Sequence, residues 1–217
     1  MLVGSFGIQQ ITRLHGANFV HFSNSGRKVS IISQIFEERT LKLADKLVAV
    51  SDYIRRETLI KAGLEDRLCE IIYNGVDIKL FRPDPEIKKE DGLILFVGRL
   101  SQTKGAPNLF KALPNVFSKH KSARLRFIGK DTKDGTRGLT STKLMNMLEE
   151  KFRDRVELYG EVHHEELPSE YQKASIVIFP SLVEANPIAV IEAMSCGAPI
   201  IFMKSGPGPE MIDNGKE

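Results

Sequence analysis

Short apolar runs recur along this chain, separated by longer amphipathic stretches, so two periodicities alternate from one end to the other. The runs over 11–14, 47–50, 69–72, 93–97, 124–128, 155–158, 176–179 and 199–202 read as strands. The stretches over 28–43, 52–62, 106–117, 142–152, 165–173, 187–196 and 209–213 read as helices. That alternation predicts an α/β fold with a mainly parallel sheet. Ser51 or Asp52 suits the start of the second helix and Gly63 its stop, while Pro114 is expected to kink or shorten the third.

The polar, turn-rich run from Asn74-Gly75-Val76-Asp77 through Arg82-Pro83-Asp84-Pro85 to Lys88-Lys89-Glu90-Asp91 reads as an exposed linker. It divides the chain into residues 1–82 and 83–217. The first part has too few strands for a complete doubly wound domain, and residues 214–217 stop at a turn. The expectation is therefore a partial N-terminal domain followed by a truncated C-terminal one.

Composition changes this picture little. The chain has 217 residues, 41% hydrophobic and 27% charged, which is ordinary for a water-soluble globular protein. Its net charge of +3 is spread along the sequence without an aromatic-interleaved basic stripe, so a nucleic-acid partner is not expected. Anionic small molecules and a peripheral membrane contact both stay open. Two distant cysteines, Cys69 and Cys196, suggest reduced thiols and a cytoplasmic setting. No apolar run reaches membrane-spanning length, and the oligomeric state is left open.

Candidate chemistry gathers at the ends of the runs. After 176–179 comes Pro180-Ser181-Leu182-Val183-Glu184-Ala185-Asn186-Pro187, leading into the helix that carries Glu192 and ends near Gly197. Asn186 suits the cap, Pro187 the first helical position and Gly197 the stop. Such a helix start offers free N–H groups and a positive dipole end to an anion, and Glu192 could accept bonds from vicinal hydroxyls. Equally, Glu184 could be a solvated loop charge and Glu192 an exposed helix residue.

After 93–97 comes Gly98-Arg99-Leu100-Ser101-Gln102-Thr103-Lys104-Gly105, where a guanidinium and an ammonium could neutralise a diphosphate, or else stay solvated. Neither a Walker A loop nor a Gly-x-Gly-x-x-Gly fingerprint is present. Gly129 and the Tyr159-Gly160-Glu161-Val162 turn are further points where backbone could approach a ligand. Ser205-Gly206-Pro207-Gly208-Pro209-Glu210 is another turn into a helix.

In order along the chain, Ser51, Tyr73-Asn74-Gly75-Val76-Asp77 with Phe81 and Pro83, and Val97-Gly98-Arg99-Leu100 with Lys104-Gly105 form one set of landmarks. Phe127-Ile128-Gly129, Pro180-Ser181, Glu184-x₇-Glu192-Ala193-Met194 and Cys196-Gly197-Ala198-Pro199 continue it. Together they resemble the retaining GT-B glycosyltransferases of family four. The resemblance implies two Rossmann-like domains, a nucleotide-sugar donor (UDP- or GDP-linked) held mainly by the C-terminal one, and no resident cofactor or metal. It implies that Arg99 and Lys104 hold the diphosphate, with Gly98, Gly129 and Val162 lining the donor site. It places Glu192 on the ribose, Glu184 on the transferred sugar, and the backbone from Ala185 through Asn186, Pro187 and Ile188 on sugar and phosphate. His15, in Arg13-Leu14-His15-Gly16, matches a histidine facing the donor sugar, or is a satisfied strand-end residue.

The implied acceptor is a saccharide or a lipid-linked hydroxyl, with polysaccharide or glycolipid synthesis as the family tendency. His163 and His164 read as exposed capping residues, and His120 as a helix-end surface residue. Two departures stand out: Ala185 and Asn186 replace a glycine and an aromatic, and Gly129-Lys130-Asp131 replaces glycine-acid-glycine. An inactive nucleotide-binding fragment is the competing reading, and phosphorolysis or epimerisation are other activities of the same fold.

Overall fold

A computed structural model of the chain describes residues 9–16, 30–131 and 140–213. Residues 28–29, where the first helix was expected to begin, and the turn at 214–217 lie outside the described residues. The chain forms two compact units. One comprises residues up to Asn74 with Val183–Asn186 and the segment from Lys204, the other Gly75–Leu182 with Pro187–Met203. The sequence reading put a single boundary at 82/83. The first division falls instead at 74/75, and two later segments group with the first unit.

In the first unit β1 (Ile11–Leu14), β2 (Lys46–Ala49) and β3 (Cys69–Ile71) form a parallel sheet in the order β1-β2-β3. Helices α1 (Ile31–Leu43) and α2 (Asp52–Ala62) connect them, over a core that includes Leu14, Leu41, Leu47, Val50, Ile54 and Leu59. A helix start leaves backbone N–H groups without partners. At α2 three are supplied. Buried Ser51 accepts from Ile54 N at 3.2 Å, and the two carboxylate oxygens of Glu210 accept from Asp52 N at 2.8 Å and Tyr53 N at 2.7 Å. Gly63, at φ 62°, closes the other end, with its N–H on Ile60 O and Leu64 N–H on Leu59 O.

The same contacts explain why later segments belong here. Ser51 Oγ donates to Ala185 O at 2.6 Å, and Asn74 Nδ2 donates to Asn186 O at 2.8 Å. Asn74 N donates to Asn186 Oδ1 at 3.2 Å. The short helix of Glu210 (Gly208–Met211) is likewise part of this unit.

The second unit is a five-stranded parallel sheet in the order β6-β5-β4-β7-β8. Its strands are β4 (Leu93–Val97), β5 (Arg124–Ile128), β6 (Val156–Gly160), β7 (Ile176–Phe179) and β8 (Ile200–Phe202). Its helices are α3 (Ala106–Lys119), α4 (Ser141–Met145), α5 (Glu150–Arg153), α6 (Leu167–Lys173) and α7 (Ile188–Ser195), with a 3₁₀ turn over His164–Glu166.

Three expectations need correction. Helix α3 runs through Pro114 to Lys119, because Leu109, Phe110, Leu113 and Phe117 on one face are all buried and outweigh the missing N–H. The helix expected over 142–152 is two short ones, because turn bonds from Met147 N to Leu144 O and Leu148 N to Met145 O end the first. The cap of α7 is Pro187 and not Asn186, whose side chain is spent on Asn74.

Below the sheet's working edge, Arg126 of β5 donates to Glu157 at 2.7 Å, Glu170 at 2.8 Å and Glu90 at 3.2 Å, and Arg124 also pairs with Glu90. Burial alone would push the Glu90 carboxyl up, but the bonds from Arg126 and Arg124 outweigh it and hold the group below its ordinary 4.5. A depressed carboxyl contributes stability above its unfolded value that is lost as pH falls through its folded value. Urea midpoints should therefore decline as pH drops below 4.5. Arg126→Met should flatten that decline and cost about 3 kcal/mol at pH 7, because buried Glu170 then loses the bond on its Oε2 and keeps only the one from Lys173 on its Oε1.

Candidate functional site

Three strands run one way from β4 (β4, β5, β6), and the chain then returns to its other side for β7 and β8. Such a reversal leaves a crevice at the carboxyl ends of the two strands flanking it, here β4 and β7, which is where open parallel sheets take ligands. The loop after β4 carries Gly98, Arg99, Lys104 and Gly105, and the loop after β7 begins at Pro180.

The two loops touch. Leu182 N donates to Thr103 O at 2.8 Å, and Gly105 sits so close to Pro180 that an added Cβ would lie 1.8 Å from its carbonyl oxygen. Gly105 has φ 73°, so its lack of a side chain is required twice over. Arg99 is exposed and Lys104 half-buried, with the Lys104 backbone N–H on Ser101 Oγ at 3.2 Å.

Beside this crevice, over the ends of β4, β5 and β6, lies a cavity of about 430 Å³ lined by Leu100, Phe127, Leu158, Lys130, Asp131 and Glu161 among others. That volume suits a small organic ligand. Its floor is backbone: a Cβ on Gly129 would come within 2.1 Å of Gly98 O, and Gly129 N donates to Gly160 O at 2.8 Å. Leu100, Phe127 and Leu158 give the cavity an apolar side and Lys130, Asp131 and Glu161 a charged one, a mixed lining that suits a ligand with both an apolar face and polar edges. Asp131, one of the two departures, accepts from Ser141 N and Oγ and so holds the start of α4. Val162 follows on the turn after β6 and is half-buried.

Glu192, on α7, is not the exposed helix residue that spacing alone allowed. It is 5% exposed. Its Oε2 accepts from Tyr171 Oη at 3.0 Å, and its Oε1 accepts from His164 Nε2 at 2.8 Å. Burial first, then the Glu192 charge and hydrogen bond, push the Tyr171 hydroxyl well up, so it remains a donor. Behind them, Phe81 packs its ring against His164 and Tyr171 at 5.0 and 6.3 Å, and Ser195 Oγ donates to Phe81 O at 2.6 Å. At the far end of α7, Gly197 N donates to Met194 O and Ala198 N to Ala193 O, the paired closure expected of a glycine stop.

The second unit thus carries Gly98, Arg99, Lys104, Gly129, Val162, Pro187, Ile188 and Glu192, while His15, Glu184 and Asn186 belong to the first. His15 is exposed at the end of β1, and Glu184 is half-buried in its loop. Sequence reasoning missed three participants: His164, Tyr171 and Glu210. His164 is exposed as expected, but it bonds Glu192; the 3₁₀ turn starts at His164, and His163 before it makes no side-chain cap. Among the described residues no group of three His, Cys, Asp or Glu side chains is placed to hold a metal, and no helix is long and apolar enough to cross a membrane.

Two outcomes follow from this geometry. Burial, then the Glu192 charge, pushes the Cys196 thiol up to about 11, and burial raises Cys69. Neither should react with a disulfide reagent at pH 8 in the native chain, and both should react in urea. Gly105→Ala should lower stability by more than about 2 kcal/mol in urea titration, since the left-handed backbone and the Pro180 carbonyl both oppose a Cβ.

The chain is similar to several known proteins. The gpi3 subunit of phosphatidylinositol N-acetylglucosaminyltransferase from Schizosaccharomyces pombe is 29% identical over 194 residues, covering 88% of this chain and 40% of the relative. Spore coat protein SA of Bacillus subtilis is 30% identical, over 85% of this chain and 53% of that protein. The chain therefore spans about half, or less, of the length of these relatives. HepE of Anabaena, crystallised with UDP and glucose, superposes with a TM-score of 0.77 at 21% identity, over 95% of this chain and 56% of its own. This likeness shows that the fold is of the GT-B type. The profile named Glycosyltransferase Family 4 matches residues 2–80. Residues 77–217, the greater part of the sequence and all the elements of the crevice, match the family profile of glycosyl transferases group 1, and the chain belongs to that family.

Proposed function

We propose that the second unit binds the donor for a retaining glycosyltransferase, which passes a sugar from a nucleoside-diphosphate sugar to a hydroxyl acceptor. The observation that carries this reading is the crevice at the sheet reversal, where the loop of Arg99 and Lys104 is fastened to the loop leading to α7. A diphosphate there meets two cationic side chains of different kinds. Arg99 offers a planar fork, and Lys104 a compact point charge. The first N–H groups of α7 add a fixed positive end. The cavity over β4, β5 and β6 takes the base, and buried Glu192 takes the ribose hydroxyls.

Breaking the bond between sugar and diphosphate builds negative charge on the departing phosphate. Groups already aimed at that charge lower the barrier most. Arg99 and Lys104 serve this role, and the acceptor hydroxyl adds on the face from which the phosphate leaves, giving it the proton. Support for a UDP-linked donor comes from HepE, solved with UDP and glucose, and the relative named for N-acetylglucosamine transfer to phosphatidylinositol supports an amino-sugar donor. The same relative supports a lipid-linked acceptor.

Calorimetric titration of the chain with UDP, GDP and ADP tests the reading. One nucleotide should bind saturably. Arg99→Ala and Lys104→Ala should each weaken it about tenfold or more, the loss expected for one charge-assisted contact. A folded chain that binds none of the three would sink the proposal. Release of UDP from a UDP-sugar in the presence of a glycolipid acceptor would then separate transfer from binding alone.

A further inference from the structure

The Glu192 carboxylate is held on both oxygens in the free protein, by groups from two different places in the chain. Tyr171 comes from α6 and is fully buried. His164 comes from the turn after β6, two residues past Val162, and its side chain is 57% exposed. An exposed charged pair ordinarily contributes little. Here the acceptor is different, because the Glu192 side chain is only 6% exposed and its outer oxygen faces His164. Phe81 backs the imidazole at 5.0 Å, so the ring is fixed from behind while its Nε2 reaches the carboxylate.

A carboxylate oxygen accepts more than one hydrogen bond. With one position on each oxygen occupied, the carboxylate plane is set and the remaining positions keep a constant direction. Fixing a flexible acid before its ligand arrives removes an ordering cost from binding.

We infer that His164 is a positioning residue. With Tyr171 it holds Glu192 at the rotation that presents its remaining lone pairs to the ribose diol of the donor. The inference rests on the ribose reading of Glu192 given above. It assigns His164 to recognition of the diol rather than to the surface of the turn.

The test compares UDP with 2′,3′-dideoxy-UDP, by calorimetry on the full chain. The native chain should prefer UDP by about tenfold, the worth of hydrogen bonds to a charged acceptor. Glu192→Gln and Glu192→Ala should both shrink that preference. His164→Ala should weaken UDP about fivefold and leave dideoxy-UDP unchanged. His164→Gln, whose amide N–H can reach the same oxygen, should restore most of the loss.

If the Glu192 variants erase the preference while His164→Ala keeps it, the positioning role is overturned and the ribose reading stands. A His164→Ala chain that loses both ligands equally overturns it as well, since the effect then does not pass through Glu192. If the Glu192 variants leave the preference intact, the ribose reading falls, and the inference falls with it. Circular dichroism melts of each variant show that the chain compared is folded.

Discussion

One close backbone approach governs the working edge of the second unit: the main chain of Gly105 beneath the carbonyl of Pro180. A helix that starts after one strand is joined there to the loop that follows another. Because no side chain intervenes, the two loops share a geometry set by peptide planes, which are stiff. Gly129 against Gly98 repeats the device one strand over. The floor on which a phosphate and a base would rest is therefore made of backbone, and the charged groups are mounted on it rather than building it. A site assembled this way keeps its shape when surface side chains vary.

Against that rigid floor, Glu192 is an expensive element. A carboxylate taken out of water costs several kcal/mol unless donors replace the lost solvent. Tyr171 and His164 are those donors, and Glu192 in turn keeps the Tyr171 proton in place. The arrangement resembles a functional compromise more than a stabilising one. A leucine of similar volume would pack there with fewer requirements, which is a physical reason to expect the acid to face something other than protein.

The strands of both sheets were legible from apolar runs; the inner strands β2, β4, β5 and β7 are mostly buried and read as continuous hydrophobic segments, while the edge strands β1, β3, β6 and β8 are more exposed. Helix ends were legible where glycine adopts positive φ, as at Gly63 and Gly197. Capping was less so. Asn186 has the right chemistry for a cap, yet bonds Asn74, a residue 112 positions away that no local rule points to. Pro114 looked disruptive because propensity ignores the four large residues that α3 buries. At the site, the cationic loop and the glutamate spacing were visible in the sequence, whereas the burial of Glu192 was not. Its partners come from α6 and the turn before it, so the pairing exists only once the fold brings α6 against α7.

Phe81 is the first fully buried aromatic of the second unit. It lies in a stretch of sequence that has every local mark of a solvent-exposed connector, yet its ring is 1% exposed and its carbonyl is bonded by Ser195 of α7. Phe81 is thus a wall of the second unit, closing the back of the compartment in which His164, Tyr171 and Glu192 meet. A protein cut at residue 83 would keep every strand and helix of the second unit's sheet and every charged group of the crevice. It would still open that compartment to water from behind, so the edge of the second unit is drawn by one aromatic ring and not by the linker's composition.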